Sequence, residues 1–354
     1  MRLFVVAALA ACSLSSPACA QPAPTDGAAA LSIHYVKREA DAVLTELAST
    51  LDTDFVQPEF GHAYARMLRA RLASGAYDKS ADAVAFASAV TSDLRSVHKD
   101  AHLRLMAPKT GSEGKRQEAT LTRDESTITG SGWIAPGVAY IGFSAFFGND
   151  ATIAGLNSFL EKVKGAKVLI IDARKHRGGG LDEMDVLFPQ LFGKRTALVD
   201  LDIRTAVAEQ QGDPFEDVKS MEKIDAPEGL LRRVHYAIPA AAPGLANAKV
   251  YLLTSSFTAS AAEHLALSLK RTHRATLIGE TTRGAGNFGR PASLGFGYSA
   301  FIPTGRTFDP DTGEGWEGVG VKPDIVVTAD NALDEALKLA GVNQSGKAAL
   351  AALK

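Results

Sequence analysis

Cysteine is nearly absent: the 354-residue chain has two, Cys12 and Cys19. Both lie in the first twenty positions, so residues 21–354 carry no thiol, which excludes a catalytic cysteine, a structural disulfide or a thiolate metal site there. Aromatic residues are sparse at 7%, and charge of one sign is lacking, since 38 Lys+Arg stand against 40 Asp+Glu for a net −2. The basic residues are scattered among acidic ones, with no aromatic-interleaved basic run, so nothing favours nucleic acid as a partner. After the N-terminus no stretch approaches the roughly 18 uninterrupted apolar residues of a membrane helix. There is no H-E-x-x-H or comparable cluster to suggest a metal, no cofactor motif in the right context, and no internal repeat.

What remains, 46% apolar and 22% charged residues, is a globular composition, with length for about two domains. Residues 1–20 read as an export signal: Arg2, an apolar stretch from Leu3 to Ala11, and Ala18-Cys19-Ala20 before Gln21-Pro22. A competing reading takes Leu9-Ala10-Ala11-Cys12 as a lipobox with Cys12 as a lipidated N-terminus. The expected location is therefore periplasmic or secreted, or lipid-anchored through Cys12. A Pro/Ala/Gly linker occupies 21–30. Residues 31–100 have helical periodicity, with apolar residues three and four apart in 40–51, 60–72 and 81–94, and predict an N-terminal helical domain.

Residues 101–354 read differently. Strand-like runs at 103–106, 119–128 and 138–144 are separated by a loop at 108–114. The buried-type strand K-V-L-I-I-D (167–172) leads through a glycine cluster into a helix at 181–192. A second such strand at 250–254 leads into a helix at 258–270, and a third lies at 275–279. Repeated strand-then-helix units predict an α/β core with parallel pairing and functional groups at strand C-terminal ends. The acidic, Pro-containing stretch 210–229 reads as an insertion or flexible flap.

Two segments carry chemistry. In T-S-S-F-T-A-S-A-A-E (254–263) a buried strand runs into hydroxyl residues and then a helix, placing Ser260 in the first turn. Unpaired N–H groups and the helix dipole favour an anion there, so Ser260 could attack a carbonyl with support from the Ala261 N–H. The plainer reading is that Thr258 or Ser260 caps the helix. In D-A-R-K-H-R-G-G-G (172–180) the glycines free the backbone to aim N–H groups at one point, or simply to turn tightly. G-A-G-N-F-G (284–289) matches a dinucleotide fingerprint, but Arg290-Pro291 follows and no helix opens there. For a general base there are eight histidines, among them His102, His176 and His264, and the residues alone do not choose.

T-S-S-F-T-A-S-A-A-E, I-G-E-T-T-R-G-A-G (278–286), I-P-T-G-R (302–306) and W-E-G-V-G-V-K-P-D (316–324) together resemble the tail-specific or C-terminal processing family of serine proteases (S41). Segments F-V-Q-P-E-F (55–60), L-A-S-G-A-Y-D (72–78) and D-L-R-S-V-H-K-D-A-H-L-R-L (93–105) resemble its branch related to tricorn protease and interphotoreceptor retinoid-binding protein. The resemblance covers roughly 33–328. It implies a ClpP/crotonase-like β-α core with an N-terminal helical domain and no PDZ domain, and a peptide or unfolded-protein substrate. It also implies Ser260 as nucleophile, an oxyanion hole from Gly178 or Gly179 with Ala261, His102 as base and Glu317 as a supporting carboxylate. Ala285 stands where members with a serine/lysine dyad carry lysine, so that mechanism is not available. Ala101 replaces the serine of the tricorn-like pattern, which leaves the coupling of Glu317 to His102 open; the sequence also leaves open self-association into a homo-oligomer. Rival readings are a hydrophobic-ligand carrier on the same fold, or an esterase or amidase. Arg174, Arg283 and Arg290 are cationic candidates for gripping a peptide carboxylate.

Overall fold

The run Val168-Leu169-Ile170-Ile171 has no polar position, as suits a strand covered on both faces. The computed structural model, which describes residues 34–108 and 125–353, places it so. The signal segment, the linker, both cysteines and parts of the 108–114 loop and 119–128 strand lie outside the described residues.

The chain opens with helices α1 (Lys37–Asp54), α2 (Pro58–Ala73) and α3 (Ala83–Val97), followed by β1 (Arg104–Met106). Next come β2 (Ile128–Ala135), β3 (Val138–Phe143), α4 (Asp150–Lys162), β4 (Val168–Asp172), α5 (Asp182–Leu191), β5 (Thr196–Arg204) and α6 (Thr205–Gln211). Then follow β6 (Met221–Ile224), β7 (Leu230–Ala237), β8 (Lys249–Thr254), α7 (Ala261–Arg271), β9 (Thr276–Gly279), β10 (Asn287–Ser293) and β11 (Ser299–Phe308). The last elements are β12 (Ile325–Val326), α8 (Ala332–Leu339) and α9 (Gly346–Ala351). One sheet has the order β12-β9-β8-β4-β3-β2 and is parallel except where β2 meets β3. The other, β1-β11-β5-β7-β6 with β10 also on β11, is antiparallel.

Side chains alternate across the parallel sheet. Ile141, Leu169, Ile171, Leu252 and Leu277 share a core with α4, α5, α7 and β5. Their neighbours Tyr140, Ile170, Leu253 and Ile278 pack with Leu333 and Leu337 of α8 and Ala349 of α9. Both faces are thus closed, and the strands need no polar alternation. The N-terminal helices bury Leu44, Leu47, Leu68, Phe86 and Val90 in a core shared with Leu103 and Leu105 and with Ala292, Ala300 and Ile302 of the antiparallel sheet. Asp82 caps α3 by accepting the Ala85 N–H at 2.7 Å. The mixed α/β class with an N-terminal helical region is as the sequence predicts, although the helices share their core with the antiparallel sheet.

Two local expectations change. Helix α7 begins at Ala261, not near 258, because Ser260 has φ 55° and cannot extend a right-handed helix. Stretch 210–229 is built into the antiparallel sheet: β6 pairs with β7, and Asp213 bridges Arg233 at 2.6 Å. Phe215 from the same stretch packs edge-on to Phe288. The G-x-G-x-x-G match runs into β10 from Asn287, so no helix opens there, as the sequence predicts.

Leu252 is fully buried in the first core, whereas Val326 on the edge strand β12 is 79% exposed. Leu252→Ala should cost about 2–5 kcal/mol in urea unfolding, and Val326→Ala should stay within about 0.5 kcal/mol. Equal losses would contradict this placement of the core.

Candidate active site

Strand β8 ends at Thr254, and the next six residues are tied to the turn that follows β4. Thr258 Oγ1 accepts the Ser255 N–H at 2.9 Å and donates to the Ala173 carbonyl at 2.8 Å. Ser255 Oγ donates to the Arg174 carbonyl, and the Ala259 N–H donates to that of His176. The hydroxyls that make this segment conspicuous therefore weld two loops together.

Ser260 follows with φ 55° and ψ −118°. Among the described residues only Ser260, His273 and Phe296 are non-glycine residues with positive φ. Such a conformation costs of order 1–3 kcal/mol and persists only where the surroundings enforce it. Here the enforcing group is the fully buried Glu263. Its Oε2 accepts the N–H groups of Ser260 and Ala285, both at 2.8 Å, and its Oε1 accepts Thr282 Oγ1 and the Gly284 N–H, both at 2.6 Å. Burial pushes its pKa up, opposed by these four donors. Ser260 also caps α7, its carbonyl accepting the N–H groups of Glu263 and His264.

Gly178 and Gly179 have φ 106° and 133°. A Cβ on Gly179 would stand 1.8 Å from the Phe146 carbonyl oxygen, and one on Gly178 would stand 2.8 Å from Ser260 Cβ. The turn therefore touches the serine only because it lacks side chains. The two glycines are not equivalent as donors. The Gly178 N–H is committed to His176 Nδ1 at 3.0 Å, which removes it from the expected oxyanion hole. The N–H groups of Gly179 and Ala261 have no acceptor among the described residues. Gly179, Ser260 and Ala261 all line one cavity of about 340 Å³, whose apolar wall includes Phe215, Phe288 and Trp316.

His102 sits between α3 and β1. Asp100 Oδ1 accepts the N–H groups of His102 and Leu103 at 2.8 and 2.7 Å, and its Oδ2 accepts Asn287 Nδ2 at 2.8 Å. Glu317 Oε1 accepts the Ala101 N–H at 2.7 Å, and Oε2 accepts those of Gly286 and Asn287 at 2.6 and 2.8 Å. Glu317 thus reaches the His102 loop through a main-chain amide, where the resembling branch has a serine. One ligand-capable atom each from His102, Asp100 and Glu317 lie within 4.8 Å of one another. Each carboxylate already receives three protein donors, so its lone pairs are directed to those donors. Burial lowers the His102 pKa, opposed by Asp100 and assisted by Arg104 and Arg283. Its Nδ1 is buried without a partner. No hydrogen bond joins His102 to Ser260 among the described residues. The connection runs through the strip 284–287, which Glu263 holds toward Ser260 and Glu317 holds toward Ala101.

Of the three candidate cations, Arg174 is engaged by Asp172 and the Ala329 carbonyl, and Arg290 pairs with Asp54. Arg283 is exposed, and its side chain makes no hydrogen bond or ion pair among the described residues. Sequence reasoning gave no part to Glu263 or Asp100 and left His176 among the candidate bases. The S-x-x-E spacing of Ser260 and Glu263 was the available signal for the first, since it is the pattern of a capping box.

Comparison with known proteins gives a match to Peptidase family S41 over residues 137–327 and to the N-terminal domain of Peptidase S41 in eukaryotic IRBP over 28–129. The chloroplastic C-terminal processing peptidase of Tetradesmus obliquus is 26% identical over 249 residues, covering 66% of this chain and 48% of that protein. The chain therefore spans about half the length of the curated relative it matches. The photosystem II D1 C-terminal processing protease superposes with a TM-score of 0.54 at 16% identity, over 86% of this chain and 98% of that one. Tricorn protease gives 0.51 at 15% identity, over 90% of this chain and 37% of its own. At these identities the likeness is one of fold.

Burial, and next Asp100, push the Glu317 pKa from 4.5 up to about 7. The folded chain then holds a proton that the unfolded chain has released, so this group's stabilising contribution is complete in acid and is lost as pH rises from about 4.5 to about 7. Glu317→Gln should flatten that part of the stability profile, followed as the urea midpoint at successive pH values. An unchanged slope would overturn the raised pKa.

Proposed function

Because the chain belongs to peptidase family S41, we propose that it is a serine peptidase cleaving peptides or unfolded proteins, with Ser260 as nucleophile and His102 as base. The observation that carries this reading is the setting of Ser260. It is held in a strained conformation at the wall of a cavity that it shares with Gly179 and Ala261, whose N–H groups are unspent. A strained serine with free donors beside it is arranged for acyl transfer.

In this mechanism His102 takes the Ser260 Oγ proton as Oγ bonds to the substrate carbonyl carbon. The carbonyl oxygen becomes an oxyanion and accepts the Gly179 and Ala261 N–H groups, each worth about 3–4 kcal/mol in such sites. Collapse breaks the C–N bond, and His102 returns its proton to the departing amine. Water, giving a proton to His102, then attacks the acyl carbon, and Ser260 leaves with that proton. The lowered pKa of His102 keeps it neutral and ready to accept near neutral pH. Asp100 and Glu317 act as positioning residues, holding the His102 loop through its own amides. Arg283, exposed and with no side-chain partner among the described residues, is the one of the three candidate cations open to a substrate carboxylate. Export to the periplasm or beyond, by signal cleavage or as a lipoprotein through Cys12, belongs to the same proposal and is supported by the composition of residues 1–20.

The purified protein, incubated with an unfolded protein and a mixed peptide pool and followed by mass spectrometry, should yield fragments. Ser260→Ala and His102→Ala should each lower turnover at least about 100-fold with the thermal midpoint kept. Undiminished cleavage by Ser260→Ala would overturn the nucleophile. A folded wild type that cleaves nothing but binds apolar ligands in the 340 Å³ cavity would favour the carrier reading.

A further inference from the structure

The cavity beside Ser260 has a wall that the reaction does not use. His264, on the helix that Ser260 caps, is 3% exposed and lines this cavity. Its Nε2 lies 2.8 Å from Nδ1 of the fully buried His235, whose Nε2 lies 3.3 Å from Asp185 Oδ1. A carboxylate only accepts, so it fixes the His235 proton on Nε2. With that proton on Nε2, His235 presents a lone pair at Nδ1, 2.8 Å from His264 Nε2, which takes the proton on that nitrogen. What is left on His264 is a lone pair at Nδ1. Burial, and next His235, hold the His264 pKa well below its ordinary value, so this ring stays neutral.

That lone pair has no donor among the described residues. It is also absent from the polar atoms sealed in the interior without a partner, a group that does include the indole N–H of Trp316. The His264 atom therefore retains open surface on the cavity, and the Trp316 donor does not. Besides neutral His264, the ionisable residues lining the cavity are Asp182 and Asp185, and no Lys or Arg among the described residues joins them. An apolar chamber with Phe215, Val218, Phe288 and Trp316 on its walls thus presents acceptors and no exposed side-chain cation.

We propose that this cavity selects the substrate side chain on the acyl side of the scissile bond, and that it favours an apolar body ending in a hydrogen-bond donor received by His264 Nδ1, tyrosine over phenylalanine. The proposal rests on the reading of Ser260 as nucleophile for its placement of the scissile bond, but its test does not require turnover. A site built to accept a hydrogen bond penalises the analogue that lacks the donor, because the acceptor is then left buried and unpaired.

The test uses the Ser260→Ala protein and labelled peptides identical except for a final Tyr, Phe or Lys, with Kd read by fluorescence anisotropy. The Tyr peptide should bind about tenfold tighter than the Phe peptide. His264→Leu, added to Ser260→Ala, should abolish that ratio while leaving Phe binding in place. Should that variant fail to fold, Asp185→Ala, at the partly exposed end of the relay, should reduce the ratio by releasing the His235 tautomer. Equal Tyr and Phe affinities, a ratio that survives both changes, or a preference for Lys would each overturn the proposal, the last in favour of selection by Asp182 and Asp185. With wild type, cleavage lacking any Tyr preference would defeat the selectivity and leave the peptidase reading standing. A Tyr preference in binding without any cleavage would do the reverse.

Discussion

Burying a carboxyl group costs several kcal/mol unless hydrogen bonds replace its water, and this chain places two of them, Glu263 and Glu317, on either side of one short strip of backbone. Glu263 accepts from Ser260, Thr282, Gly284 and Ala285. Glu317 accepts from Ala101, Gly286 and Asn287. Neither glutamate is replaced by an isosteric amide without aiming donors at donors. The pair fixes where the helix-capping serine, the 284–287 strip and the histidine loop stand, although these come from opposite ends of the sequence.

The strain at Ser260 follows from the same network. A positive φ is tolerated because its N–H has an acceptor in Glu263 and because the turn pressed against it consists of glycines that a Cβ would drive into Phe146 or Ser260 itself. Hydroxyls of Ser255 and Thr258 fasten that turn to the end of β8. Removal of any one of these parts would let the serine relax toward ordinary helix geometry, which would turn its N–H and side chain elsewhere. The strain is stored by the surrounding contacts.

The parallel strands were legible because their apolar runs admit no other burial than between two layers, as 168–171 illustrates. Of the antiparallel sheet only β1 was, as the run at 103–106. Its strand β5 carries Asp200 and Asp202 as buried residues, and Asp202 is neutralised across strands by Arg232 and Arg306 at 2.6 and 2.9 Å. Charges that are inside by virtue of a distant partner erase the polar-out alternation by which such a strand is recognised. The stretch 210–229 misled for a related reason, since its acidic Asp213 is spent on Arg233. The candidates Ser260, His102, Glu317 and the glycine pair could be named from motifs. The division between Gly178 and Gly179 could not, because it depends on one imidazole nitrogen folding back on its own chain.

Histidine shows most clearly what the fold adds. His102, His176 and His264 all have pKa values lowered by desolvation, His176 to about 3. Burial alone therefore does not separate a base from a structural ring. Occupancy of the ring nitrogens does. His176 spends Nδ1 on the Gly178 N–H and has its other nitrogen sealed against the interior. His264 spends Nε2 on His235, and the ring lines the cavity. His102 has neither nitrogen in a protein hydrogen bond among the described residues, yet its backbone is pinned by Asp100 and its neighbour by Glu317. Its Nδ1 is sealed like His176 Nε2, so Nε2, on a ring whose main chain is held, is the nitrogen proposed to exchange the proton. That combination, which no count of histidines in a sequence can supply, is what separates His102 from His176 and His264.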